Sequence, residues 1–215
     1  MEIERFVSIF PRLYHMSHKD ALPGILQHGL LSTTALLDLY EVERRERAKI
    51  EFEMRRSSIA IRHPKHGRAV IRDQKPIGND ARLETSLGGK VTAKQFHQLL
   101  NSMVFFWVNP ERLEGLRHAK AYRGDAQLVL TLDTRKVVGQ YVERMFLCPM
   151  NSGACMPIAH PRSIEMFQRI QDYDYEFWRR RKGGAEKSVV ECTIQGGLLD
   201  TARFIVNTEI VVPGT

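Results

Sequence analysis

His15, in the run Leu13-Tyr14-His15-Met16-Ser17, stands at the end of a short stretch of strand character. A histidine there emerges from a sheet edge into a crevice, where its imidazole can donate to a ribose hydroxyl or to a main-chain carbonyl. The commoner fate of such a residue is partial burial against the main chain. Phe105-Phe106-Trp107 sets three aromatics in succession. Strand side chains alternate between faces, so the run mostly packs a core, while one or two rings are free to stack on a nicotinamide, an adenine or a nucleobase. Glu191 interrupts Ser188-Val189-Val190-Glu191-Cys192-Thr193-Ile194. An acid in so apolar a strand is costly to bury alone, so either the strand is an edge with Glu191 in water, or Glu191 points into a site. Asn151-Ser152-Gly153, with Arg162 further on, offers a small polar turn and a guanidinium. The pair can hold a phosphate or carboxylate, although a turn beside a surface arginine is the more frequent arrangement.

These residues need elements to position them. A strand over 10–14 leads into a short helix over 18–29, with Pro23 in its first turn and Gly29 stopping it. Ser32 or Thr33 caps a second helix, and Thr92 caps one running through Phe96, Leu99 and Leu100. Residues 103–108 read as a buried central strand, followed by a helix entered through Asn109-Pro110. Further strands are expected at 126–132, 141–148, 188–194 and within 204–212, and a short helix over 162–170. Between these lie a solvated helix early in 41–75, a turn at 63–67, irregular chain over 76–90, a polar connection over 172–187 and a turn at Gly196-Gly197. Helices first and then mostly strands describe an α+β domain built on a sheet.

Composition narrows the classes. A chain of 215 residues with 43% hydrophobic residues buries a sizeable core in one domain, or one domain with a large insertion. No apolar run approaches the roughly 20 residues of a bilayer span, and no secretory leader is read at the N-terminus. Three cysteines, Cys148, Cys155 and Cys192, form no disulfide framework, so a reduced cytoplasmic compartment is expected. P-loop, dinucleotide-fingerprint, Gly-x-Ser-x-Gly and metal-knuckle spacings are absent. The net charge of +7 points to an anionic partner, and much of the excess lies in 41–75 and at Arg179-Arg180-Arg181-Lys182.

The run from Leu13 to His18, followed by Leu22-Pro23-Gly24-Ile25-Leu26-Gln27-His28-Gly29-Leu30-Leu31-Ser32, resembles the opening of NAD-dependent ADP-ribosyltransferases, most closely the DarT-type branch that modifies nucleic acid. The whole chain also resembles a bacterial family of unknown function, DUF7002, in its Tyr-His start, Val-Phe-Phe-Trp strand, Asn-Ser-Gly loop with a downstream arginine, and late Glu strand. The resemblance implies one α+β domain over 1–215, an ADP-ribosyltransferase-like split mixed sheet with flanking helices and a basic insertion at about 41–90. It implies NAD as co-substrate, no metal and no membrane, with DNA or RNA as acceptor and, by analogy with toxins and defence effectors, a neutralising protein partner. His15 would bond the ribose of the nicotinamide half, beside Tyr14, Met16 and Ser17. Phe106 or Trp107 would lie near the nicotinamide, and Asn151, Ser152 and Arg162 would complete the cofactor site. Glu191 would be the catalytic acid, since breaking the glycosidic bond builds positive charge on the ribose. The family presents that acid at a loop-to-strand junction, whereas Glu191 reads as three residues into a strand. Glu209, followed by Ile210-Val211-Val212-Pro213, matches the family's Glu-x-x-Val-Pro sequence as well, so both acids stand as candidates. Arg44, Arg45, Arg47, Arg55, Arg56, Arg179 and Arg180 would form the phosphate track. The alternative is a non-catalytic nucleic-acid-binding or interaction module with the same basic stretch, in which His15 and Glu191 are structural.

Overall fold

A computed structural model describes residues 1–119 and 122–212. The chain opens with α1 (Ile3–Ile9), β1 (Arg12–His18), α2 (Leu22–His28), β2 (Leu30–Leu31) and α3 (Thr33–Leu39). It continues through α4 (Arg44–Phe52), the hairpin of β3 (Ile59–His63) and β4 (Gly67–Ile71), α5 (Asp80–Leu87) and α6 (Ala93–Asn101). Next come β5 (Met103–Trp107), α7 (Pro110–Arg117), β6 (Gln127–Asp133), α8 (Thr134–Tyr141), β7 (Met145–Cys148) and β8 (Gln168–Arg169). Last are α9 (Tyr175–Lys182), β9 (Glu191–Gln195), β10 (Gly197–Leu198) and β11 (Ile205–Val211).

Side-chain caps fix most of these starts. Ser32 accepts the Ala35 N–H, Thr92 and Gln95 form a capping box, and Asn109 and Asp133 cap α7 and α8. Seven strands form one sheet in the order β11-β6-β1-β5-β9-β7-β8. The α+β class and the flanking helices are as expected, but the strand pairs are antiparallel throughout rather than mixed. β1 pairs along its whole length with β6, and β5 along its whole length with β9. Between β1 and β5 the register is a single pair, Tyr14 with Trp107. The sheet is therefore nearly parted there, and this parting is what a site can occupy.

The two faces bury separate cores. One packs Phe6, Leu13, Phe106, Leu130, Val137 and Ile194 beneath α1 and α8. The other packs Leu83, Phe96, Met103, Cys148 and Phe167 beneath α5 and α6. Each fully buried large side chain contributes roughly 1.5–3 kcal/mol. Two glycines allow β2 and β10 to meet. Gly29 (φ +91) and Gly197 (φ +115) both lie in the left-handed half of backbone space. A Cβ on Gly29 would come within 2.4 Å of the Leu198 carbonyl oxygen, and one on Gly197 within 2.3 Å of that of Leu30.

The insertion differs from its reading. Residues 59–71 form a hairpin, because Ile59 and Ile61 alternate with the exposed Ala60 and Arg62 and face Ile71 and Ala69. Residues 80–87 are helical, with Leu83 and Leu87 one turn apart against α6. Residues 134–141 form a helix, 175–182 form a helix inside the expected polar connection, the strand expected over 141–148 is confined to Met145–Cys148, and in place of a helix 162–170 holds a 3₁₀ turn (Ile164–Met166) and the two residues of β8.

Candidate functional site

A cavity of about 570 Å³ opens beside the parting between β1 and β5. β1 supplies His15, Met16 and Ser17, β5 supplies Phe105, Phe106 and Trp107, and the 151–153 loop and Glu191 close the lining on the β9 side. The hairpin adds Arg68 and Arg72, and α2 adds Gly24, Ile25 and His28.

His15 spans the parting. Its Nδ1 lies 2.8 Å from the Phe105 carbonyl oxygen, which can only accept, so Nδ1 carries the proton and Nε2 presents a lone pair. Burial pushes the imidazole pKa down to about 4, with Arg72 adding to the shift and the Phe105 carbonyl opposing it. The ring is neutral at pH 7. Its donor is taken by the main chain, so toward a ribose hydroxyl it acts as an acceptor. Phe106 lies 5.7 Å from His15 between ring centroids and is buried in the core. It backs the imidazole and contributes to the cavity lining.

Glu191 is the first residue of β9, so it sits at a loop-to-strand junction and not three residues into the strand. β9 is central, between β5 and β7, and the residue is 4% exposed. One oxygen, Oε2, accepts the Ser152 N–H at 3.0 Å. Burial raises the pKa to about 7, while Ser152, Arg162 and Arg112 pull it back. A carboxyl on this strand is held near its midpoint at neutral pH.

Other expected site residues stand elsewhere. Tyr14 shares the face of its register partner Trp107 and packs with it and Met16 around Leu113 and Val129, outside the lining. Trp107 is half-buried in that cluster and still reaches the cavity. Arg162 is buried and is no anion ligand: its Nη1 donates to the Ser152 carbonyl (2.5 Å), its Nη2 to Ala154 (2.6 Å) and its Nε to His160 (3.4 Å). Glu209 is exposed on β11, the outer strand of the sheet, opposite Val129 and outside the cavity. Pro213 of its motif lies outside the described residues. Arg47 is paired with Asp38 and Glu51, and Arg55 is buried with its guanidinium on the Arg72 and Ile50 carbonyls, so neither is a free phosphate contact. Arg44, Arg45 and Arg56 are exposed. Arg179 pairs with Glu176, and neither it nor the exposed Arg180 lines the cavity.

Sequence reasoning missed the hairpin's share of the lining. Arg72 lies over the Tyr122 ring (5.0 Å) and donates to Gln127, and Tyr122 donates to Asp73 at 2.9 Å. The two-residue alternation of Ile59-Ala60-Ile61-Arg62 was the available signal. Among the described residues no group of three or more His, Cys, Asp or Glu is placed to hold a metal ion. No helix among them is long and apolar enough to cross a membrane.

No curated protein matches the sequence. Among solved structures, DarTG of Thermosipho africanus in complex with ADP-ribose is similar at 13% identity and a TM-score of 0.43. The match covers 94% of this chain and 44% of that one, so the chain spans less than half the length of that protein. Residues 11–205 match the family of unknown function DUF7002, and the chain belongs to that family.

Proposed function

We propose that the cavity binds NAD and that the chain transfers ADP-ribose from it to a nucleic acid. The observation that carries the reading is the convergence of a neutral histidine and a buried carboxyl on one cavity. Its volume of about 570 Å³ is in the usual range of small-molecule sites. His15 Nε2 would accept from a ribose hydroxyl, Trp107 would offer a ring face, and Arg68 and Arg72 would supply positive charge toward a diphosphate.

In the transfer, the ribose–nicotinamide bond breaks and its electron pair leaves with nicotinamide. The ribose carbon then bonds an acceptor oxygen or nitrogen. Ionised Glu191 would stabilise the developing positive charge and take the acceptor's proton, passing it to water. The exposed Arg44, Arg45 and Arg56 favour a polyanionic acceptor.

Nicotinamide release from NAD, with and without DNA and RNA acceptors, tests the reading. Release by the wild type, lost in Glu191→Ala and kept in Glu209→Ala, is the expected result. No release above the Glu191→Ala background would overturn it. Thermal stabilisation by oligonucleotide, with no response to NAD, would favour the non-catalytic binding module instead.

A further inference from the structure

The structure assigns Arg162 the part of a positioning residue, which acts on Glu191 through the 151–154 loop and touches no substrate. Ser152 is the link. Its carbonyl is held by Arg162 Nη1, and its N–H is given to Glu191 Oε2. Fixing one side of the residue therefore aims the donor on the other. Arg162 Nη2 on the Ala154 carbonyl pins the loop at a second point, so it cannot pivot about the first. The arginine is itself anchored, because its own N–H donates to the Ser86 carbonyl on α5 (2.9 Å), and Cys155 N–H donates to Pro76 (3.0 Å). The insertion that reads from sequence as irregular chain thus buttresses the loop that faces Glu191.

The charge adds a second argument. Arg162 is 5% exposed, and among the described residues no carboxylate lies within ion-pairing distance of it. A buried guanidinium without a counter-charge is costly, and a neutral donor could hold a carbonyl more cheaply. Here its field falls on Glu191 and favours the ionised carboxylate.

The activity arm of the test rests on the ADP-ribosyl transfer reading, and the titration arm does not. The titration arm follows the Glu191 carboxyl by ¹³C NMR in wild type, Arg162→Lys and Arg162→Gln, and the activity arm measures nicotinamide release against pH. Arg162→Gln is expected to move the Glu191 midpoint to higher pH and to lower kcat roughly 10- to 100-fold, with KM for NAD little changed. Arg162→Lys keeps the charge but cannot span both carbonyls. It should keep the midpoint near the wild-type value and recover only part of kcat. An unmoved midpoint in folded Arg162→Gln, or a raised KM with kcat intact, would overturn the assignment. If Arg162→Gln does not fold, an Arg162→Lys protein with full wild-type kcat overturns it equally. A wild type that releases no nicotinamide defeats the transfer reading, and the titration then decides the role of Arg162 alone.

Discussion

Glu191 destabilises the fold that holds it. Its carboxyl titrates at about 7 in the native protein against an ordinary value of 4.5. Between those two values the native state binds more protons than the unfolded chain, so stability falls as pH rises from 4.5 to 7 and is level above that. Glu191→Gln keeps an oxygen for the Ser152 N–H and removes the charge. It should be more stable than wild type at pH 8, by on the order of 2–3 kcal/mol, and no more stable at pH 4. Denaturant unfolding at the two pH values checks this, and loss of stability at pH 8 would contradict it. The same titration implies that nicotinamide release rises with pH through about 7 as the carboxylate forms. His15 runs the other way, since a native value near 4 keeps its ring neutral. NMR titration of that imidazole should show no protonation above about pH 5. Both residues were legible in the sequence by type and neighbourhood. Arg162 and Tyr14 stand outside the cavity lining, because the face a side chain takes depends on register and on partners far away in the chain. Glu209 matches the Glu-x-x-Val-Pro sequence, but β11 places it on the outer edge.

At the scale of elements, capped helices and apolar strands were readable, while the hairpin and α5 were not. Arginines and histidines on β3 and β4 mask an alternation whose apolar side packs only a small satellite core of Leu37, Tyr40, Ile50, Ile61 and Ile71. Three histidines join this hairpin to α2. His66 stacks on His63 at 4.6 Å between ring centroids and meets His28 edge-on at 4.7 Å. The His66 pKa is lowered, first by loss of hydration and then by His63, His28 and Lys65, with Glu41 opposing. A base lowered in the native state supports the fold above its ordinary value of 6.5, and that support is lost as pH falls through its native value. Hydrogen-exchange protection at β3–β4, corrected for the intrinsic pH dependence of exchange, should therefore fall selectively as pH drops below 6.5, and His66→Gln should blunt the change. A second element-level prediction concerns the β2–β10 approach. Gly197→Ala drives a Cβ into the Leu30 carbonyl and should cost roughly 2–4 kcal/mol in denaturant unfolding.

For the whole molecule, the +7 charge resolves into separate groups. Arg68 and Arg72 line the cavity, as does Arg55, whose guanidinium is held on main-chain carbonyls, Arg47 is held by Asp38 and Glu51, and Arg44, Arg45 and Arg56 stand in solvent. Reversing those last three to Glu should weaken oligonucleotide binding and flatten its dependence on salt, as measured by fluorescence anisotropy, while leaving the thermal response to NAD unchanged. The parted sheet joins these scales: it gives His15 and Glu191 access to one cavity from strands on either side. Intact-mass spectrometry of nucleic-acid acceptors incubated with NAD tests the whole account most directly. The account predicts an acceptor heavier by one ADP-ribosyl group with the wild type and none with Glu191→Gln. Unmodified acceptors with a folded wild type, or the same adduct with Glu191→Gln, would contradict it.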